Sequence, residues 1–487
     1  MKIVTHNFWY IVGLLFFVEL LSFLSFIQPT LNTIFFVLLC LLLLLISVWR
    51  LDVGLLMVFG ELFIGSKGYL FSLTLDGFSL SLRIAFFLII MSVWLLNCIK
   101  QRHTYLLQRE KTRFLYFFLF ISLVFSVVRG FWFHNNDYAI FFDANAFVFF
   151  LYIFPLLDTY RASDRIRQLL ELLAASTIAV GVKTLVSLFL FASRGDWIVL
   201  TYYRWIRDTG VGEITPVAGN FFRIFFQSQI YSLIAFFVFL PLFLLTRYTM
   251  NAIEKKIYFI VLVVESLTIL LSLSRSYWVG AFVAMVGLLF ALKWHENFSW
   301  RRISLIVLSM MTLLAFEVFA VYALIRSPLG SVLGKRITDV SEPAASSRMN
   351  QLEPLRHSIL EHPWLGSGFG RTVTYITNDP RARAYDSTGR LTTYSFEWGY
   401  LDIMLKMGIV GFGVYLLLLS FLATQAHELY IIAQEPVVRA VVLGLTLALF
   451  ALMVTNIFSP YLNHPLGIGY IVIITTLFSF FREGNRV

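Results

Sequence analysis

Only two cysteines occur in the chain, Cys40 and Cys98, and both lie inside apolar runs. Neither points to a disulfide or a metal site, and the redox compartment is left open. Charge is scarce as well: Asp, Glu, Lys and Arg make up 14% of the 487 residues. No repeat of about 20–50 residues and no low-complexity tract is present. The short alternating strands of a membrane β-barrel are missing, because the apolar runs are continuous. No DNA- or RNA-binding motif accompanies the net charge of +10. Basic loops that set membrane topology or meet anionic headgroups account for that charge, and nucleic acid is not expected as a partner.

What the chain has in abundance is apolar side chains. Hydrophobic residues are 59% of it, and the mean hydropathy is +0.81. Apolar stretches of about 17–25 residues recur from end to end, each long enough to cross roughly 30 Å of hydrocarbon as a helix. Lipid tolerates no irregular backbone, so the fold class is all-α, a polytopic membrane helical bundle. Spans are read near 8–27, 31–49, 53–71, 80–99, 114–130, 143–158, 168–191, 224–246, 257–273, 276–293, 303–324, 401–423, 438–456 and 466–481, a total of 12–14. The third carries Glu61 and Lys67 and is interrupted by Gly54, Gly60, Gly65 and Gly68, so it reads as broken or re-entrant. The first run has only Lys2 before it and no small-residue cleavage site, and it reads as a retained span.

Short basic loops orient the bundle. Lys100 to Arg113, Arg161 to Arg167, Arg247 to Lys256, Lys293 to Arg302 and Arg482 to Arg486 all fall on one side, which the positive-inside rule makes cytoplasmic. Both termini are then cytoplasmic. Two external segments also carry cations. One, from about Ser193 to Arg223, holds Arg194, Arg204, Arg207 and Arg223. The other, from about Arg326 to Tyr400, holds eight Arg, one Lys and seven acids. Cap signals at Ser346-Ser347 and the Pro and Gly content make it a folded cap with one or two short helices. The expected organisation is an N-terminal bundle (1–324), an external loop domain (325–400) and C-terminal helices (401–487). Two cations stand out. Arg223 opens a span, and Arg275 lies between two spans in Ser274-Arg275-Ser276-Tyr277-Trp278. A fixed cation at an external span end is costly unless an anion binds there.

Three motifs follow in order. Ser274-Arg275-Ser276 sits at a span junction, and His362-Pro363-Trp364-Leu365-Gly366-Ser367-Gly368 lies in the long loop. Glu397-Trp398-Gly399-Tyr400-Leu401, then Lys406-Met407-Gly408-Ile409-Val410-Gly411, opens the next span. Together they resemble the signature of the O-antigen ligase and polymerase superfamily: S-R-S/G, then h-P-L-x-G-x-G, then H-N-x-Y-L and a G-I-x-G helix start. The resemblance covers about residues 220–425. It implies an enzyme of the bacterial inner membrane whose site faces the periplasm. Such an enzyme transfers a glycan from a polyprenyl (undecaprenyl) pyrophosphate carrier to an acceptor hydroxyl. That acceptor is a lipid A core of lipopolysaccharide, a second carrier-linked glycan or a protein. Transfer would be inverting, with no metal and no cofactor, and no external Asp-x-Asp argues otherwise. Membrane lipids and a chain-length regulator are the further partners it suggests.

The chemistry assigns residues. A lipid pyrophosphate leaving group calls for guanidinium groups at a span end, and Arg275 and Arg223 match the family's two outward arginines. Arg204 and Arg207, beside Tyr202, Tyr203 and Trp205, are candidates for phosphate or sugar, with an interfacial belt as the alternative. Arg348 and Arg356 are candidates for glycan or pyrophosphate, unless Glu353 or Glu361 pairs with them. Tyr400 is a sugar-stacking candidate. The acceptor hydroxyl needs a base. The family has His in the H-N-x-Y-L motif, whereas the alignment places Glu397 there with Trp398 for Asn. A carboxylate can serve, with His357 and His362 as rivals in the same loop. The different reading is a transporter or flippase of lipid-linked oligosaccharide. That reading needs charges lining a path through both leaflets or inverted repeats.

Overall fold

The computed structural model describes residues 4–5, 7–75, 78–101, 110–193, 196–218, 221–325, 343–377, 383 and 386–484. Arg194, residues 326–342 and the tail beyond 484 lie outside them. Helices dominate: α1 (Phe8–Ile27), α2 (Pro29–Trp49), α3 (Leu51–Ile64), α4 (Leu82–Gln101), α5 (Glu110–Trp132), α6 (Asp137–Val148), α7 (Ile153–Thr159) and α8 (Ser163–Ala192). They continue with α9 (Asp196–Asp208), α10 (Ile230–Thr246), α11 (Ala252–Leu271), α12 (Arg275–Trp294) and α13 (Trp300–Ile325). The last four are α14 (Pro343–Glu361), α15 (Gly399–Ile432), α16 (Pro436–Thr455) and α17 (Pro465–Gly484). Three antiparallel hairpins interrupt them: β1 (Ser72–Leu75) with β2 (Phe78–Ser81), β3 (Gly212–Ala218) with β4 (Phe221–Phe226), and β5 (Val373–Ile376) with β6 (Arg390–Thr393).

Among the described residues, twelve helical segments are long and apolar enough to cross a membrane, α6 and α7 counting as one. This is a polytopic all-α membrane protein. Two of the expected spans fall short of that measure for identifiable reasons. α3 has only 14 residues, and α11 carries Glu254, Lys255, Lys256 and Glu265. The bundle centres on α10, almost all of it buried, which packs on α11 and α16. α8, α16 and α17 are also largely buried, while α2 and α13 line the rim and turn most side chains outward, as lipid-facing helices do.

The third apolar run is broken, as expected: it is helical only to Ile64 and then unwinds into β1 and β2. Three sequence expectations are corrected. Arg223 does not open a span: Phe221–Phe226 is a strand paired with Gly212–Ala218, with Arg223 opposite Thr215, and the span begins at Ile230. The alternating burial of that strand is what pairing with one covered face produces. α14 starts at Pro343, ahead of Ser346-Ser347, because proline's fixed φ suits a first helical position. α15 runs on to Ile432, far past the expected end near residue 423.

α15 is also broken. Gly408 sits at φ 66°, ψ −175°, so the helical ladder cannot continue through it. The segment 363–370 fills the gap. The N–H groups of Ile409 and Val410 donate to the carbonyls of Pro363 (2.9 Å) and Trp364 (3.1 Å). Ser367 and Gly368 N–H donate back to the carbonyls of Leu405 (2.7 Å) and Lys406 (3.1 Å). The same segment is tied to α5 and the turn after it. Arg129 Nε donates to Gly366 O (2.5 Å), and Asn135 Nδ2 to Ser367 O (3.0 Å) and Phe369 O (2.8 Å). Phe369 N–H donates to Ser126 O (3.0 Å). The N–H groups of Ile409 and Val410 and the carbonyls of Leu405 and Lys406 are thus paired, as buried non-helical backbone in a membrane protein requires.

Gly408→Ala should therefore lower stability by about 1–3 kcal/mol through left-handed strain alone, and by more because its Cβ would meet the Trp364 backbone. Gly413→Ala, five residues on with nothing near its Cβ, should be neutral or stabilising by up to about 1 kcal/mol. Thermal unfolding of the two variants in one detergent compares them directly.

Candidate active site

The long connections meet at one face of the bundle, called here the capped face. The α11–α12 junction lies there. Leu273, fully buried, adopts φ +46°, an unusual conformation for a non-glycine residue. It turns the chain so that Ser274 precedes α12 and Arg275 is the first residue of that helix. Serines brace this elbow. Ser272 Oγ accepts from Ser274 N–H (3.2 Å), Ser274 Oγ meets Ser276 Oγ (3.0 Å), and Ser276 Oγ meets Ser459 Oγ (2.9 Å).

β4 delivers Arg223 to the same elbow. Its Nε donates to Ser272 O (2.9 Å), three residues before Arg275, and its guanidinium lies 4.7 Å from the Phe225 ring centroid. Phe225 in turn packs against Tyr277, which hydrogen-bonds Tyr461 hydroxyl to hydroxyl. Burial pushes the Tyr461 phenol above its usual range, with Tyr277 and Arg223 opposing. It therefore stays protonated at working pH.

The start of α15 reaches the other side of the 456–464 turn. The Trp398 ring packs on Phe458 (5.6 Å between centroids), Tyr400 OH donates to Met453 O (2.8 Å), and Gly399 lies against Asn456 with no room for a Cβ. Glu397, immediately before, is clamped by α14. Its carboxylate is ion-paired with Arg348, its N–H donates to Gln351 Oε1 (3.3 Å), and Trp398 Nε1 donates to Arg348 O (2.8 Å). A small apolar cluster of Leu355, Ile359, Val373, Phe396 and Leu405 fastens α14 to this corner. Glu397 nonetheless keeps about 40% of its side chain exposed.

Thus the 456–464 turn touches residues next to each candidate: Ser459 meets Ser276 beside Arg275, Phe458 packs on Trp398 beside Glu397, and Tyr461 bonds the Tyr277 that packs on Phe225, near Arg223. The other candidates point elsewhere. Arg356 is exposed and pairs with Glu353 (3.7 Å). His357 is exposed beside Glu361 (3.5 Å). His362 stacks on Phe133 (4.6 Å, 21°). Arg204 and Arg207 lie on the exposed side of α9, whose Trp205 is buried and donates to Ser22 Oγ (3.1 Å).

Sequence reasoning missed a buried charge cluster under the cap. Lys406 Nζ contacts Asp143 Oδ1 (2.8 Å) and Asp402 Oδ1 (2.6 Å), and Asn463 donates to Asp402. Gly370 N–H donates to Asp143 Oδ2 (2.8 Å), joining the cluster to the glycine segment. Asp402 and Lys406 at i, i+4 in an apolar helix were a legible signal; Asp143, 259 positions earlier than Asp402, was not. Two acids within spans also have cationic partners. Arg83 binds Glu61 with two bonds of 2.9 Å and Ser66 O with a third (2.7 Å), and Glu19 pairs with Lys183. Removing one partner of such a pair costs about 3–5 kcal/mol, since it strands a buried charge.

Residues 257–416 match the family model described as O-Antigen ligase. Over this segment, about a third of its length, the chain is similar to the O-antigen ligase and polymerase superfamily. The match spans the Arg275 elbow, α14, the glycine segment, Glu397 and the break at Gly408. No curated protein matches the chain. The superfamily is one of membrane glycan ligases and polymerases, a glycosyl-transferring class.

His464, in the turn beside this site, gives a pH prediction. Burial, with Arg83 and Lys67 adding, pushes its imidazole down to about 3 from 6.5. Its Nδ1 accepts from Leu466 N–H (3.3 Å), so it is held neutral. Unfolded chains bind a proton there between those two values and the folded protein does not. Stability present above pH ~6.5 is therefore lost as pH falls toward 3. His464→Gln should flatten the loss between pH 7 and pH 5, read as the change in melting temperature of both proteins.

Proposed function

We propose that the protein transfers a glycan from a polyprenyl-pyrophosphate carrier to an acceptor hydroxyl at the capped face, as a polymerase or ligase of the bacterial inner membrane. The observation that carries this reading is that the Arg275 elbow, which Arg223 reaches, and the Glu397 corner both pack on one turn, the elbow and Glu397 lying inside the matched family segment. In the reaction, Arg275 and Arg223 hold the pyrophosphate. The acceptor oxygen attacks the anomeric carbon from the face opposite the pyrophosphate, and its proton passes to the Glu397 carboxylate. The bond from the anomeric carbon to the pyrophosphate oxygen breaks, and the electron pair leaves with the pyrophosphate, where the two guanidiniums stabilise it. Configuration inverts. Glu397 then returns its proton to solvent. Arg348 acts as a positioning residue that aims the carboxylate.

The orientation also has support. Arg161, Arg165, Arg167, Arg247, Lys255, Lys256, Arg301 and Arg302 sit in connections or helix starts at the face away from the cap, as a cytoplasmic face would have them. The capped face is then periplasmic. Against a transporter stands the pairing of Glu19, Glu61, Asp143 and Asp402 with cations inside the bundle.

Transfer in proteoliposomes supplied with polyprenyl-pyrophosphate-linked repeat units tests the reading. Wild type should lengthen the glycan, with or without a chelator. Arg275→Ala should lose about 10²–10³ in rate, the usual effect of deleting one charge-stabilising donor. Glu397→Gln should lose about 10²–10⁴, the worth of a general base. Full activity in Glu397→Gln would remove its role as the base. A ladder from carrier-linked units alone means a polymerase, whereas product only with a lipid or protein acceptor means a ligase.

A further inference from the structure

At the face away from the cap, the end of α10 and the start of α11 enclose a cleft of about 520 Å³. Phe243, Arg247, Tyr248, Lys255, Lys256 and Phe259 line it. Its volume lies within the range of small-molecule sites, about 300–1,000 Å³. Three cations surround one concavity, and no carboxylate lines it. The adjacent acid, Glu254, is buried and turned into the helix cap, where it accepts from Asn251 N–H (3.1 Å). Among the described residues, no acid lies within ion-pair reach of the three cations.

The placement of two of them is unfavourable in itself. Lys255 and Lys256 stand just after the first turn of α11, near the positive end of the helix dipole, where anions are favoured and cations are not. Arg247 is held in place by the neighbouring aromatic, its Nη2 donating to Tyr248 OH (2.8 Å) with the guanidinium 4.7 Å from that ring. Like charges gathered around a pocket repel one another and are relieved by an anion. The wall is apolar: Phe243 and Phe259 face the cleft, and Phe259 is 56% exposed. A free inorganic anion gains nothing from that wall. An acyl chain does, and the cleft lies where α10 leaves the membrane.

We propose that this cleft binds an anionic phospholipid, the phosphate between Arg247, Lys255 and Lys256 and an acyl chain along Phe243 and Phe259. It would tie the α10–α11 turn to the leaflet opposite the active site, independently of which glycan the enzyme transfers.

The full-length protein in mild detergent is titrated with phosphatidylglycerol, with phosphatidylcholine and with inorganic phosphate, and bound lipid is read by native mass spectrometry. Phosphatidylglycerol should bind in preference to phosphatidylcholine and should resist millimolar phosphate. Lys255→Gln with Lys256→Gln should weaken it about thirtyfold, at about 1 kcal/mol for each cation lost. Arg247→Gln should weaken it about fivefold by the same measure. Arg301→Gln with Arg302→Gln, equal in charge loss at the same face but outside the cleft, should change it less than twofold. Three results would overturn the proposal: equal binding of phosphatidylcholine, displacement by phosphate alone, or an equal loss in the Arg301/Arg302 control.

Discussion

The break at Gly408 and the segment that fills it organise the rest of this molecule. A span that stops being helical leaves unpaired N–H and C=O groups in a setting where water is scarce, each costing about 1–3 kcal/mol if unmet. Here the chain supplies its own replacement, residues 363–370, whose backbone pairs with both sides of the break. The geometry leaves little choice of residue. Gly366, Gly368 and Gly370 all have φ between 72° and 78°, and a Cβ on Gly366 would run into the Lys406 backbone. What looks like a glycine-rich phosphate loop is a backbone plug.

The plug also explains why Glu397 is where it is. It pulls the polypeptide that follows α14 down against α5 and α15. Just ahead of α15, Glu397 meets Arg348 and Gln351 of α14. Asp143 accepts from Gly370 and from Lys406 at once, so the buried charges and the plug form a single structure. The elbow at Leu273 does the corresponding work for Arg275. Two locally costly features, a broken helix and a left-handed leucine, flank the candidate site, in keeping with the tendency of strain to collect where function needs unusual geometry.

Much of this was legible in the chain. Most span positions follow from the apolar runs, and the three motifs lie in the segment that matches the family model. Pairing across long separations was not legible. Asp143 with Lys406, Glu19 with Lys183, and Arg129 with Gly366 join residues whose partners no local pattern indicates. The strand at Arg223 was hidden for another reason: Phe-Phe-Arg-Ile-Phe-Phe joins an apolar run that continues into α10, and hydropathy cannot separate a buried strand from the first turns of a span. His362 and His357 drew attention as rival bases by residue type alone; His362 stacks on Phe133 and His357 stands exposed beside Glu361.

The account's central claim is that Arg223 and Arg275 form one pyrophosphate site and Glu397 acts on the acceptor instead. Binding of glycan-free polyprenyl pyrophosphate separates the two roles without any chemistry. The account predicts that Arg223→Gln and Arg275→Gln each weaken binding tenfold or more, as the loss of a charge-assisted bond worth about 1.5–3 kcal/mol implies, while Glu397→Gln binds like wild type. Wild-type affinity in both arginine variants, or a comparable loss in Glu397→Gln, would contradict it.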